Sequence, residues 1–225
     1  MTTGAITRSS TATPHDEVVR YDFPERATHW VNALSYSYLL LTGLALFTPY
    51  LYWLAYVFGG GGTIRFWHPW VGLVYVATIL WMHSRWKADM APIPSDAEWR
   101  KNIRNYIENH DELVPAQGKF NAGQKQFWWV MSCCTVILLV TGIIMWFPEW
   151  FSNGSGRSFH WVLPLVVFIH SATALVTIAA FIIHVYMSIW MTPGSMKAMM
   201  EGHVSTRWAR AHHRLWYDKV VGGRK

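Results

Sequence analysis

Four long apolar segments, separated by polar stretches, dominate the hydrophobic pattern of the chain. A hydrocarbon core of about 30 Å requires about 20 helical residues, and all four segments are expected to be long enough to cross it. The second segment is short, so it is expected to need flanking residues or tilt. The fourth is longer than a span requires, so it is expected to tilt or to project beyond the bilayer. Helices are expected because isolated strands would leave backbone groups unpaired in lipid. The predicted spans cover residues 30–54, 67–82, 126–147 and 159–190.

The polar connections differ sharply in positive charge. The predicted flexible loop "YVFGGGGTIRF" and the later connection "PEWFSNGSGRS" together hold two basic residues, Arg65 and Arg157. The other 17 of the 19 Lys and Arg residues lie in the N-terminal arm, the middle connection and the C-terminal tail. Because Lys and Arg concentrate on the cytoplasmic side, this asymmetry predicts that both termini and the middle connection are cytoplasmic.

These segments define an all-α, four-helix transmembrane bundle with both termini in the cytoplasm. Its predicted parts are an N-terminal arm (1–28), a membrane domain (29–192) that includes the cytoplasmic connection 85–125, and a basic tail (193–225). The N-terminus has no charged segment followed by an apolar core, so we expect no cleavable signal peptide.

Composition supports a membrane protein. Only 14% of the residues are charged, against about 25% in water-soluble domains, and the 15 Trp residues suit aromatic belts at the membrane surfaces. The net charge of +6 follows from topology and from anionic lipid headgroups, so no nucleic acid partner is expected. Cys133 and Cys134 are adjacent in an apolar segment, and we interpret them as packing residues without a disulfide framework.

Two histidines interrupt the apolar stretch "VVFIHSATALVTIAAFIIHVYM". His170 and His184 are fourteen residues apart, which on a helix places them about 40° apart in direction and ~21 Å apart along the axis. One metal ion cannot bind both, but two haems at different depths can each take one. Depth then pairs His68 with His170 near the outer surface, and His29 with His184 near the cytoplasm.

Other histidines leave alternatives open. His83 ends the second span on the cytoplasmic side and could replace His29, and His160 could replace His170. Spacing excludes neither of them. We expect the histidines in polar segments to be solvated or interfacial: His15, His110, His203, His212 and His213. Bis-histidine ligation leaves no open iron position, so the predicted chemistry is electron transfer alone, with no catalytic residue in this chain.

A weak internal repeat links the first and third spans. "LLLTGLALFTPYLYW" resembles "LLVTGIIMWFPEWF", with Thr-Gly at matching positions and Pro a few residues later. The repeat reflects either shared membrane composition or an old duplication of a helix pair. Gly43 and Gly142 would permit close approach of a helix or of a flat cofactor.

The chain resembles the gamma (cytochrome b) subunits of respiratory membrane-bound formate dehydrogenases from about residue 20 to residue 217. The matching stretches are "ERATHW", "RFWHPWVG", "GKFNAGQK", "LLVTGIIMWFP", "IHSA", "IIHVYMSIW" and "GSMKAMMEGHVSTRWARAHHRLWY". The resemblance implies two haems b, with His29 and His184 on the cytoplasmic-side iron and His68 and His170 on the periplasmic-side iron. It implies no ligand role for His83 or His160, at which the chain departs from the family.

The resemblance also implies a respiratory function in the bacterial cytoplasmic (inner) membrane, where the protein would be multi-pass. In that family a molybdenum or tungsten catalytic (alpha) subunit oxidises formate, and an iron–sulfur (beta) subunit passes electrons to the outer haem. The inner haem then reduces a quinone, menaquinone or ubiquinone, in a pocket that includes the positions of Asn121 and Gly123. Read without the resemblance, "GKFNAGQK" is a polar turn that enters and caps the third helix.

Two alternatives remain from the sequence. The same di-haem, quinone-reducing subunit could serve a hydrogenase or another molybdoenzyme, because the cytochrome receives only electrons. A protein of another class, a membrane anchor or a transporter without haem, would use its histidines for packing or proton relay.

Overall fold

Four long helices form the body of the molecule. The computed structural model describes residues 17–108, 110–151, 159–192 and 194–222. In that part of the chain the α-helices are α1 (Phe23–Phe47), α2 (Leu54–Val57), α3 (Gly61–Trp86), α4 (Ser95–Lys101), α5 (Ile103–Ile107), α6 (Ala122–Trp146), α7 (Phe159–Tyr186), α8 (Ser195–Glu201), α9 (Thr206–His212) and α10 (Arg214–Gly222). The long helices pack as two pairs, α1 with α3 and α6 with α7, and these pairs meet mainly between α3 and α6.

Local signals set the ends of α1, which begins and ends about two turns earlier than the predicted span 30–54. Asp22 caps it by accepting a hydrogen bond from the Glu25 N–H (2.8 Å), and the Glu25 side chain accepts from the Asp22 N–H (2.9 Å). The chain leaves the helix at Thr48, and Pro49 starts a separate 3₁₀ turn, Pro49–Leu51. A proline disfavours helical geometry in the residue before it, which explains the earlier end.

Helix α3 is longer than the predicted span 67–82. The prediction of a flexible loop before this span is wrong. Most of "YVFGGGGTIRF" is helical, divided between the end of α2 and the start of α3. Only residues 58–60 connect the two helices, and Gly60, at φ 95°, makes the turn that a side chain would disfavour.

The third and fourth long helices agree closely with expectation. Asn121 caps α6 through the Gln124 N–H, and the Gln124 side chain accepts from the Asn121 N–H in return. The helical entry predicted for "GKFNAGQK" is therefore confirmed. Helix α7 begins at Phe159 and continues beyond Tyr186 as a π-helical turn, Met187–Met191.

Three of the described helices are long and apolar enough to cross a membrane: Phe23–Phe47, Ala122–Trp146 and Trp161–Met191. Helix α3 has comparable length, 26 residues, but it is not one of these three. Many large apolar side chains on the long helices are exposed, as expected of surfaces that face lipid. Cys133 and Cys134 are both free thiols; Cys134 is buried and Cys133 is exposed.

A layer of polar segments covers one end of the bundle, and it contains a sheet that the all-α prediction missed. Strand β1 (Glu17–Val19) pairs antiparallel with β2 (His203–Ser205). Next to it the N–H groups of Arg20 and Tyr21 donate to the Gly202 carbonyl, at 2.8 and 3.1 Å. We call residues 17–22, 85–121 and 194–222 the polar layer.

The polar layer joins all three segments that the charge pattern assigned to one side. The β1–β2 pairing and the bonds to Gly202 join the N-terminal arm to the tail. A hydrogen bond of 3.0 Å from the Leu215 N–H to the Gln117 carbonyl joins the tail to the middle segment. The tail is thus folded into helices and a strand, whereas the sequence indicated only a basic extension.

Candidate cofactor sites

His29 and His184 face one another at the end of the bundle that carries the polar layer. Their ring centroids are 6.4 Å apart and their planes are inclined by 49°. A first-row metal binds imidazole nitrogen at about 2 Å, and the ring centre lies about 1 Å behind that nitrogen, so two imidazoles on opposite sides of one ion have centroids about 6 Å apart. The observed separation fits a single iron held between the two rings.

Aromatic neighbours fix the orientation of both rings. Phe127 stacks on His184 at 4.4 Å with an angle of 10°, and Trp30 meets His29 edge-on at 5.4 Å. The two histidines also line one cavity together with Gln124 and Ser188. The pair predicted from depth alone is therefore brought together, in a setting that holds its geometry.

His68 and His170 lie toward the opposite end of the bundle, and each bonds to a threonine of the partner helix. The distance from Thr42 Oγ1 to His68 Nδ1 is 2.8 Å, and that from Thr141 Oγ1 to His170 Nδ1 is also 2.8 Å. The second predicted pair therefore occupies equivalent positions in the two helix pairs.

Each threonine determines which ring nitrogen of its histidine is left for a metal. The Thr42 hydroxyl donates to the Tyr38 carbonyl at 2.7 Å, and the Thr141 hydroxyl donates to the Ile137 carbonyl at 2.6 Å. A hydroxyl has one proton, so each oxygen must accept from the Nδ1–H of the histidine. The Nε2 lone pair then points away from the threonine, as in metal sites whose histidines donate their other N–H to a fixed partner.

The Thr-Gly repeat seen in the sequence coincides with this arrangement. A Cβ added at Gly43 would lie 3.6 Å from His68 Cε1, and one added at Gly142 would lie 3.6 Å from His170 Cε1. In each helix pair the threonine bonds the ring, and the following glycine lies beside it. The close approach expected at the two glycines is made by the histidine rings themselves.

His83, the alternative to His29, faces a different environment. Its ring stacks on Trp128 at 6.1 Å with an angle of 17°, and it meets Trp129 edge-on. The structure therefore brings His29, and not His83, to His184. The side chain of His160 and the whole of His15 lie outside the described residues.

The expectation that His213 is solvated or interfacial is wrong. Its side chain is buried, with 1% exposure; Nδ1–H donates to the Gly118 carbonyl at 2.7 Å, and Nε2 accepts from Arg20 Nη2 at 3.0 Å. Burial, and then the charge of Arg20, hold the pKa of His213 well below its ordinary value. By contrast His110 is exposed, and His203 and His212 are partly exposed.

Asn121 and Gly123, the two positions that the resemblance links to quinone, lie at the start of α6 against the aromatic side chains of Trp99 and Tyr106. The Asn121 amide donates to the Tyr106 hydroxyl at 3.3 Å, while its oxygen is the helix cap. A Cβ on Gly123 would lie 3.0 Å from the indole of Trp99, so the glycine is required for this packing. The Asn121 side chain thus caps the helix and bonds Tyr106, and only the second N–H of its amide remains for a ligand.

Three features near these sites were missed by the sequence reasoning. Tyr106 contacts Asn121 and also Thr192, 2.7 Å away. Lys125, one turn after Asn121, forms a buried ion pair of 2.9 Å with Asp96. Arg20 lines the same cavity as His29 and His184. Buried charge in a polar segment gives no periodic signal, so only the folded arrangement identifies these residues.

Apolar helices that carry facing histidine rings are typical of a membrane cytochrome b. The comparisons with known proteins agree with this class: the chain belongs to the prokaryotic cytochrome b561 family, whose family model matches residues 20–202.

Several characterised relatives are similar over almost their whole length. The chain is 35% identical over 203 residues to the cytochrome b556(Fdn) subunit of the nitrate-inducible formate dehydrogenase of Escherichia coli K12, covering 90% of this chain and 91% of that protein. It is 34% identical over 205 residues to the cytochrome b556(fdo) subunit of the same organism, with 91% and 94% covered. It is 32% identical over 210 residues to the formate dehydrogenase cytochrome b556 subunit of Haemophilus influenzae, with 91% and 84% covered.

Proposed function

We propose that this protein is the membrane cytochrome b subunit of a formate dehydrogenase. It carries electrons from a periplasmic iron–sulfur subunit through two b haems to quinone at the cytoplasmic side. The observation that carries the proposal is the 6.4 Å separation of the His29 and His184 rings, which suits one iron between them. The formate dehydrogenase subunits among the relatives support the choice of complex.

The four histidines are the proposed haem ligands. His29 and His184 hold the cytoplasmic-side iron, and His68 and His170 hold the periplasmic-side iron. Haem bound in this way supplies one-electron transfer without an open coordination position. The protein orients the ligands: Thr42 and Thr141 fix the tautomers of the outer pair, and Phe127 and Trp30 fix the ring planes of the inner pair.

The proposed topology has four spans with both termini in the cytoplasm of a bacterium. Helix α3 is counted as the second span because it has 26 residues and packs along α1 as α7 packs along α6. The meeting of the three basic segments in the polar layer supports a common side for them, and the positive-inside rule makes that side cytoplasmic.

The proposed quinone pocket lies beside α6, close to the inner haem ligands. An Asn121 N–H can donate to a quinone carbonyl. Gly123 lets the Trp99 indole pack against the start of α6, and this indole would form one wall of the pocket. Helix α6 connects this pocket to the haem pair, because Phe127, one turn beyond Gly123, stacks on His184. Reduction of the quinone takes two electrons and two protons, and the cytoplasmic position gives access to those protons.

Haem ligation is tested by optical spectra and haem stoichiometry of purified variants. His68→Ala should lose the outer haem, and His29→Ala should lose the inner haem together with quinone reduction. His83→Ala is the matched control, a histidine at similar depth, and it should keep both haems. Retention of two haems in His29→Ala would instead make His83 the ligand, and a wild-type protein without b-type bands would leave only an anchor or a transporter.

The quinone role of Asn121 is tested by separating it from the helix cap. Asn121→Asp retains an oxygen that can accept from the Gln124 N–H but removes the amide N–H groups. We expect normal haem spectra and weaker binding of a quinone-analogue inhibitor. Unchanged inhibitor binding in this variant would limit Asn121 to capping.

The partner subunits are tested by the composition of the intact complex. We expect an iron–sulfur (beta) subunit and a molybdenum- or tungsten-containing catalytic (alpha) subunit to co-purify. Hydrogenase subunits in their place would overturn the formate assignment and leave the haem proposal standing.

A further inference from the structure

A buried guanidinium, which has no anionic partner in the part of the chain that the structure describes, lies in the wall of the cavity at the inner histidine pair. The Arg20 side chain has 4% exposure. Its Nη2 donates to the Lys119 carbonyl at 2.7 Å and to His213 Nε2 at 3.0 Å. Its Nη1 is also buried, and it has no hydrogen-bond partner among the described residues.

Asp22 and Glu25, the acidic residues that follow Arg20 in the chain, are already bound to other residues. Glu25 accepts from Lys119 Nζ at 2.9 Å and from Trp86 Nε1 at 2.6 Å, and Asp22 pairs with Arg85 at 2.8 Å. The neighbouring His213 is held neutral by its lowered pKa and carries no negative charge in either form. A buried charge that lacks an opposite charge is strongly unfavourable, so the site requires an anion that the described residues do not supply.

Aromatic rings prevent Arg20 from turning outward to water. The guanidinium carbon lies 5.3 Å from the ring centroid of Tyr21, 5.1 Å from that of Trp208 and 5.2 Å from that of Trp216. Such cation–π contacts stabilise the guanidinium in its present place. The cavity that Arg20 and Tyr21 line also contains His29, His184 and Gln124. The guanidinium without an anionic partner therefore lies at the cavity of the inner histidine pair.

We propose that Arg20 binds a propionate carboxylate of the haem held between His29 and His184. The inference rests on the proposed function, because it requires that haem. Haem carries carboxylates at its edge, and a buried guanidinium binds carboxylate with short, charge-assisted hydrogen bonds. The Nη1 group gives the propionate its donor, while Lys119 and His213 hold the other side of the guanidinium.

The ion pair of Arg20 with the propionate affects the driving force for electron transfer between the two haems. A positive charge beside a haem favours the form with one more electron, and burial reduces screening of that charge by water. Arg20 therefore raises the reduction potential of the inner haem relative to the outer haem. This makes the transfer from outer to inner haem more favourable.

The test is a potentiometric titration of both haems in the purified complex. Arg20→Gln should lower the midpoint potential of the inner haem and leave that of the outer haem unchanged; Arg20→Lys, which retains the charge, should restore most of the shift. Arg85→Gln is the matched control, because Arg85 is a half-exposed cation of the same layer whose partner is Asp22. It should move neither potential.

Equal inner-haem potentials in Arg20→Gln and wild type, with both haems bound, would overturn the inference. If Arg20→Gln does not assemble, reduced-minus-oxidised infrared difference spectra of the wild-type complex test the inference. Isotope labels in the haem carboxylates and in the arginine guanidinium should each shift a band that appears when the inner haem is reduced. Arg20→Lys should abolish the guanidinium band.

A guanidinium signal without a haem carboxylate signal would assign the anion to a lipid headgroup or a free ion and overturn the inference. Absence of both signals would do the same. A preparation without haem bands would overturn the proposed function as well, so the two failures are distinguishable.

Discussion

The hydroxyl groups of Thr42 and Thr141 each bond both a backbone carbonyl and a candidate haem ligand. Each hydroxyl gives its proton to a carbonyl one turn earlier, which leaves an oxygen that must accept from a histidine. A threonine in an apolar helix usually bonds only a carbonyl of its own helix, which satisfies its hydroxyl proton. Here the same bond sets the tautomer of a candidate iron ligand.

Replacing Thr42 tests this role directly. Thr42→Val keeps the volume and removes the acceptor, so His68 loses the partner of its Nδ1–H. We expect weaker retention of the outer haem, by about 10- to 100-fold in affinity, with the inner haem unchanged. Haem stoichiometry after dilution measures the effect.

Thr42→Ser serves as the control, because it retains the hydroxyl and should behave as wild type. Full retention of the outer haem in Thr42→Val would show that the bond has no orienting function.

His213 makes the stability of the polar layer dependent on pH. Its pKa in the folded protein lies below the ordinary value of about 6.5, so on acidification the unfolded chain takes up the proton first. The stabilisation from neutral His213 is therefore present above pH 6.5 and is lost as the pH falls below it. We expect the tail to become protease-sensitive in that range.

His213→Asn tests the assignment. The Asn amide can replace the Nδ1–H donor to Gly118, but Arg20 Nη2 loses one of its two acceptors and keeps only the Lys119 carbonyl, which should cost about 1–3 kcal/mol. The variant should lose the part of the pH dependence that is due to His213. An unchanged pH profile would attribute the transition to another group.

The helices illustrate which boundaries are encoded locally. The capping boxes at Asp22 and Asn121 and the prolines after α1 and α6 act over a few residues, so each end is readable from sequence. Hydrophobicity alone places the start of the first span at residue 30, whereas the Asp22 cap starts the helix at Phe23. The "GGGG" segment predicts a loop because glycine disfavours helix, although its last two glycines begin α3.

The connection from α8 to β2 depends on one glycine. Gly202 has a φ of 92°, and a Cβ there would lie 2.8 Å from the Tyr21 carbonyl oxygen. Gly202→Ala combines backbone strain with this clash, and we expect it to destabilise the docked tail by about 1–3 kcal/mol. Thermal unfolding monitored by proteolysis of the tail measures the change.

Gly222→Ala is the matched control, since a Cβ at that position meets no atom within 4 Å. It should leave the tail as stable as in the wild type. Equal stability of the two variants would mean that the β1–β2 contact contributes little to the stability of the docked tail.

At the scale of the whole molecule, the two helix pairs and the polar layer give the protein two different ends. The outer pair of histidines is held within the bundle by threonines, whereas the inner pair lies beside a layer rich in buried charge. Electrons that enter at the outer haem and leave at the inner haem would therefore pass from an apolar to a polar surrounding.

Cysteine labelling in intact cells tests the orientation. In a background with Cys133 and Cys134 replaced by Ala, Gly62→Cys marks the beginning of α3 and Gly222→Cys marks the tail; neither position has an atom within 4 Å of its Cβ. A membrane-impermeant maleimide should label Gly62→Cys from the periplasm and Gly222→Cys only after permeabilisation. The reverse pattern would contradict the cytoplasmic placement of both termini.

The sequence by itself determined the long apolar helices, their order and the depth of each histidine. These properties depend on local hydrophobicity and on the fixed rise of a helix, so they do not require knowledge of neighbours. They predict one histidine pair near each surface, but they leave His83 as an alternative to His29 and His160 as an alternative to His170.

Tertiary structure alone decided which faces of the helices meet. Helix rotation is set by packing, so only the fold separates His29 from His83 at the inner pair. The burial of His213 and Arg20 likewise results from contacts with Gly118 and Lys119, which lie about 100 residues away along the chain. No local pattern encodes such contacts, because they exist only when the arm, the middle connection and the tail close over the same end of the bundle.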